Sequence, residues 1–319
     1  MKRICLFTLF VAVLFTNIIL AENQTFKPNS IHFNRLEQDT LDSFIHKVGK
    51  DSVLHFLDNK IFQAKEILKK TVGAIKNEPT ALELILLNKH FKLGLDSFLI
   101  FSPNIVIENF SYVLYNERLL SNNYRYTSDF IKQQSQDSVS NLMYKNIHNN
   151  YGKISLIVYC EQLHNIVNPK MIDSIYQTSL NYPINMRNDF YFLLIEYDKN
   201  CGRDQLKIKE FRKKLFEINY NNLNLGKVLS DTSEFNNLNY QNYKLMPSYQ
   251  LLAYSLYAYD FDIKKHQKEV IYFLNSQSKL GGFKEFNLAE FENISNPENM
   301  VYGLWSLLEL REQIGKLYP

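Results

Sequence analysis

Apolar residues return at every third or fourth position along most of this chain. That period limits the possible folds more than any other feature. In the stretch 53–75, Leu54, Leu57, Ile61, Ala64, Leu68, Val72 and Ile75 mark one face of a helix. Pro79 opens a second helix carrying Leu82, Ile85 and Leu86, with Gly94 as its stop. A short helix is expected at 40–48, and further ones over 105–120, 126–147, 154–167, 170–180, 187–197, 205–218, 247–259, 264–278 and 297–314. Asn168-Pro169 and Asn296-Pro297 each read as a cap followed by a proline in the first turn. Alternating strand patterns do not survive beyond short pieces such as 96–102. With 10 Gly and 8 Pro in 319 residues, the chain is too poor in turn formers for a many-stranded sandwich. The fold class is therefore all-α, made of antiparallel helix pairs.

The first residues read as an address. Lys2 and Arg3 precede an apolar run from Ile4 to Leu14, and Ala21 stands before the polar Glu22-Asn23-Gln24. This is the pattern of a secretory signal peptide over 1–21, leaving a single all-α domain over 22–319 that is secreted or periplasmic. An uncleaved N-terminal anchor is the alternative, since the segment could just span a bilayer. No later stretch is apolar enough to add an integral membrane span. Removing Lys2 and Arg3 lowers the formal net charge from +3 to +1, which gives no basic face for nucleic acid. Of the three cysteines, Cys5 leaves with the leader. Cys160 and Cys201 either pair as a disulfide or stand as small buried residues.

Residues 219–246 are crowded with asparagines and show little period, so a long loop is expected there. Around it lies a faint internal repeat. Tyr197-Asp198 and Tyr259-Asp260 each end a helix, 62 residues apart, and each is followed by another helix. Stacked helix pairs, and hence a curved helical-repeat array, produce such spacing.

A more specific pattern occupies 249–312. One helix opens with Tyr249-Gln250-Leu251-Leu252-Ala253. The next closes with Phe273-Leu274-Asn275-Ser276-Gln277, followed by Gly281-Gly282-Phe283, and the last contains Tyr302-Gly303-Leu304-Trp305. This resembles the repeat of the terpene cyclase and protein prenyltransferase superfamily, shared by complement-type thioester domains. The resemblance implies an (α/α) toroid, two rings of antiparallel helices about a central cavity. Gln277, Gly281, Gly282 and Phe283 have architectural roles in this pattern. Gly281 supplies a positive φ, Gly282 a tight turn, Phe283 a wedge under the neighbouring helix, and Gln277 a partner for freed backbone groups. The superfamily's chemistry is not carried over. Asp260-Phe261-Asp262 lacks the adjacent second carboxylate of the cyclases. The stretch 293–300 lacks the Cys and His of a prenyltransferase zinc site, and the thioester motif is absent.

Three sets of residues could carry chemistry of their own. Asp260 and Asp262 could form an acid and base pair, with helix capping by Asp262 as the plainer reading. Cys160 and His164 lie four apart on one expected helix face, which suits a metal but supplies only two ligands. Glu285, Glu290 and Glu292 follow the glycine turn as possible cavity acids or solvated loop residues. No cofactor is implied. The expectation is a binding or interaction module without chemistry of its own, taking a small molecule, a glycan or a peptide. The alternatives are a toroidal hydrolase or lyase acting on a glycan with cavity carboxylates and, following the resemblance, an isoprenoid-handling enzyme.

Overall fold

A computed structural model describes residues 36, 40–75, 78–99, 176–177, 179–201, 205–223, 245–278, 280–284 and 296–318. All of them fall within one compact unit, Leu36–Pro319. Eight α-helices and two 3-10 turns account for most of them, with no strand among the described residues. In chain order the helices are α1 Leu41–Val48, α2 Lys50–Thr71, α3 Glu78–Phe91, α4 Ile184–Cys201, α5 Gln205–Leu223, α6 Met246–Tyr257, α7 Gln267–Ser276 and α8 Pro297–Leu317. None of the described helices is long and apolar enough to cross a membrane.

Local chemistry sets the ends. Thr40 caps α1 by accepting from the Ser43 amide, and Asn296 caps α8 by accepting from the Glu298 amide, at 2.9 Å. The helix α3 stops at Phe91, where Lys92 takes a left-handed φ of 51° and Gly94 one of 68°. The Leu93 amide then closes on the Asn88 carbonyl at 3.0 Å, as in a Schellman turn. The piece over 96–98, which alternates in sequence, is a 3-10 turn.

Several expected boundaries move. The helix α5 runs through Leu223, five residues into the expected loop, because buried Asn219 donates to Asn188 and holds the last turn on α4. The helix expected at 264–278 begins at Gln267. Asp262 caps a preceding turn instead, accepting from the Lys264 and Lys265 amides at 2.9 and 3.2 Å. The helix expected at 187–197 spans Ile184–Cys201. The remaining expectations for 1–35, 100–175 and 224–244, including the leader and four helices through 180, lie mainly outside the described residues.

Packing places α6 and α8 at the centre. The last helix, α8, contacts α2, α3 and α6, while α6 also contacts α4 and α5. Every residue of α6 from Ser248 to Leu256 is buried, as is every residue of α8 from Asn299 to Leu310. A helix buried on all sides has no face left for an open, water-filled space. The buried face of α2 (Val53, Leu57, Ile61, Ala64 and Leu68) is the series expected from its period, displaced only at Leu54.

The early helices latch onto the late ones. Asn275 of α7 exchanges two hydrogen bonds with the Leu36 backbone, at 2.8 and 3.1 Å. Gln267 accepts from the Asp42 amide of α1 at 2.8 Å and donates to the Asp42 carboxylate at 2.7 Å. Asp42 also accepts from Tyr318 and Lys264. Arg311 of α8 grips Asp58 of α2 through Nε at 2.6 Å and Nη2 at 3.1 Å. Helix spacing recurs as well: α4 and α6 begin at 184 and 246, α5 and α7 at 205 and 267, each pair 62 residues apart.

Candidate functional site

The glycine turn is the most completely explained local feature. Gly281 has φ +90°, and a Cβ there would meet the Gln63 Cβ of α2 at 2.5 Å. Gln277 clamps the turn to α2. Its Nε2 donates to the Gly281 carbonyl at 2.9 Å and the Lys60 carbonyl at 3.1 Å, while its Oε1 accepts from Lys60 Nζ at 3.1 Å. Burial pushes the Lys60 ammonium down to about 8. The Gly282 amide donates to Ser278 Oγ at 3.1 Å, and the Phe283 amide points at Met300 Sδ at 3.2 Å. The Phe283 ring is fully buried between Tyr249, Phe273 and the bare backbone of Gly303.

Asp260 and Asp262 have separate partners in the structure. Asp262 is spent on the turn described above. The Asp260 side chain, 2% exposed, is gripped by Arg212 of α5, with Nη2 3.0 Å from Oδ1 and Nε 2.7 Å from Oδ2. Tyr191 of α4 donates to the same carboxylate at 2.8 Å. Burial and the adjacent carboxylate push the Tyr191 phenol far above its ordinary range. Arg212 also holds Asp198 at 2.7 Å. The two aspartates that end the similar Tyr-Asp pairs thus converge on one guanidinium. Buried ion networks of this kind cost much to break, because they leave an unpaired charge behind.

The densest polar cluster was not read from the sequence. It centres on Glu83 of α3, 4% exposed within the apolar run of that helix from Ala81 to Leu87. Tyr254 of α6 donates to Oε1, and Tyr302 of α8 donates to Oε2 at 2.6 Å. Gln250 Nε2 lies 3.1 and 3.3 Å from the two phenol oxygens and donates to Asp189 of α4 at 2.8 Å. Asn188 donates to Gln250 Oε1 at 3.2 Å and to the Pro247 carbonyl at 2.8 Å. Burial first, and the Asp189 charge second, push the Glu83 carboxyl up to about 8. One sequence signal marks this residue: Glu83 is the lone charge in Ala81-Leu82-Glu83-Leu84-Ile85-Leu86-Leu87.

Beside Glu83 the centre turns aromatic. Phe192 stacks on Tyr254 at 4.6 Å and meets Trp305 edge-on at 5.7 Å, and Tyr257 tilts against Trp305 at 5.4 Å. Trp305 is 3% exposed. Its Nε1 donates to Glu309 at 3.3 Å, and burial pushes the Glu309 carboxyl up to about 7.

A third cluster lies nearer the surface. Tyr220 of α5 donates to Glu269 of α7 at 2.6 Å and shares a hydrogen with His266 at 3.0 Å. The adjacent His266, its Nδ1 3.7 Å from the carboxylate, and the Tyr220 hydroxyl hold Glu269 down to about 2.

Among the described residues, no group of three or more His, Cys, Asp or Glu is placed to hold a metal. Cys160 and His164 lie outside them, as do Glu285, Glu290 and Glu292. The Cys201 side chain is outside the description too, although its backbone ends α4. No family model, curated protein or solved structure matches the chain.

Proposed function

We propose that the chain is a secreted binding or interaction module, built as a closed ring of helix pairs around a filled centre. The observation that carries this reading is the unbroken burial of α6 from Ser248 to Leu256 and α8 from Asn299 to Leu310. The acids that could have served a reaction there are consumed by the fold. Asp260 is held by Arg212 and Tyr191, and Glu83 by Tyr254 and Tyr302. A carboxylate whose oxygens are already occupied by packed side chains is poorly placed to exchange a proton with a substrate.

Three observations support the ring. The pairs α4–α5 and α6–α7 begin 62 residues apart, as stacked helix pairs do. The early helices α1 and α2 latch onto α7 and α8 through Asp42 and Asp58, as closure requires. The turn from Gln277 to Phe283 packs as the toroid superfamily's pattern implies. The basic, then apolar, then small-residue order over 1–21 supports export.

The test is native mass spectrometry of the folded protein with panels of glycans, peptides and isoprenoid diphosphates. The expected result is retention of at least one class intact, without product. Turnover that a folded Asp260→Asn or Glu83→Gln variant loses would replace this reading with the glycan-acting or isoprenoid-handling enzyme.

A further inference from the structure

Four helices meet at Glu83. Its two oxygens accept from Tyr254 of α6 and Tyr302 of α8. Tyr302 in turn shares a hydrogen with Thr80 of α3 at 3.3 Å, and either oxygen can be the donor. That hydroxyl pair gives the cluster two complete hydrogen-bonding states on the same heavy atoms. In the first, Glu83 is ionised, both tyrosines donate to it, and Thr80 donates to Tyr302. In the second, Glu83 carries a proton and donates it to Tyr302, whose own hydrogen turns to Thr80. Hydrogen bonding does not choose between the states; charge does. Among the described residues, the ionisable groups that act on Glu83 are Asp189 of α4, Tyr254 of α6, and Glu298 and Tyr302 of α8. Each is neutral or negative, and the remaining neighbours, Thr80, Asn188 and Gln250, are neutral. A second negative charge at this depth, beside Asp189, is unfavourable.

We propose that Glu83 is a proton-operated clasp, which holds α3 against α6 and α8 while protonated and loosens it when the proton passes to solvent. The direction follows from linkage. With α3 opened into water, the carboxyl titrates near its ordinary 4.5; packed, it titrates near 8. Between those values the closed state keeps a proton that the open state has lost, so opening becomes easier as pH rises. Above about 8 both states are ionised and the dependence ends. The stabilisation is complete below 4.5 and gone above about 8.

Hydrogen exchange of the α3 amides in the full-length protein, corrected for the intrinsic pH dependence of exchange, reads this opening constant from pH 5 to 9.5. It should rise by about tenfold per pH unit, the slope of one proton, and level off near pH 8. Glu83→Gln, which cannot ionise, should abolish the slope in α3. Asp189→Asn, which keeps an acceptor for Gln250 but removes the charge, should move the levelling point to lower pH. A flat wild-type profile, or a slope that survives in Glu83→Gln, overturns the proposal. Should Glu83→Gln fail to fold, an unmoved levelling point in Asp189→Asn overturns it on its own.

Discussion

Gly303 sits in the buried middle of α8, where a glycine ordinarily weakens a helix by about 1 kcal/mol relative to alanine. On propensity alone, Gly303→Ala should stabilise the protein. The packing predicts the reverse. A methyl at this position would lie 2.5 Å from Cε2 of Phe283 and closer still to Cγ and Cδ2, so it strikes the body of the ring. The ring cannot swing aside, because Tyr249 meets it at 5.4 Å and Phe273 stacks on it at 5.5 Å. Overpacking of a core costs about 1–3 kcal/mol, and a confined ring belongs at the upper end. Subtracting the propensity gain leaves a net loss of about 2 kcal/mol. In a chain of 319 residues, at about 2.1 cal/mol/K of unfolding entropy per residue, that lowers Tm by about 3 °C, readable by calorimetry or circular dichroism. The same methyl should change sign in a Phe283→Ala background. That substitution alone costs about 3–5 kcal/mol by opening a cavity. With the ring gone, Gly303→Ala should return about 1 kcal/mol. A single Gly303→Ala variant as stable as the wild type, or additivity across the double-mutant cycle, would refute this account of the turn.

Other substitutions separate buried from exposed charge. Asp260→Asn should lower stability in urea by about 3 kcal/mol, since it leaves Arg212 buried with only Asp198 to neutralise it; unchanged unfolding would contradict that role. Asp58→Asn breaks a bidentate pair with Arg311 that is nearly half exposed, and should cost less than about 1 kcal/mol by the same assay. Lys60→Met should reveal a pH dependence opposite in sign to that of Glu83. Burial holds the folded ammonium at about 8 against an ordinary 10.5, so the unfolded chain binds more protons between those values. Wild type should therefore gain stability relative to Lys60→Met from pH 8 to 10.5, as seen in paired melts across that range.

The sequence discloses those parts of the fold that local physics determines. The period along α2 marks its buried face, and Asn296-Pro297 fixes the start of α8. In the turn from Gln277 to Phe283 the positive φ of Gly281 and its carbonyl's bond from Gln277 are local and legible, whereas the clamp of Gln277 on Lys60, 217 residues away, is not. Boundaries governed by tertiary contacts were hidden. The helix α5 outlasts its apolar period because Asn219 finds Asn188, which no local rule anticipates. Nothing local to Asp260 shows that Arg212, 48 residues earlier, holds it. The Glu83 cluster was the least legible. Its members stand 171 and 219 residues from Glu83, and each one taken singly is an ordinary helix residue. Only the isolation of one acid within an apolar run hinted at it.

The chain's single tryptophan provides a direct probe of the proposed filled centre. Trp305 lies among Phe192, Tyr254 and Tyr257, one turn along α8 from Tyr302, and is 3% exposed. Its fluorescence in the native protein should be blue-shifted and insensitive to iodide, a charged quencher that does not enter packed cores, and should become quenchable only on unfolding. A red-shifted emission that iodide quenches under native conditions would mean that water reaches the middle of the helices, and the filled-centre account would fail.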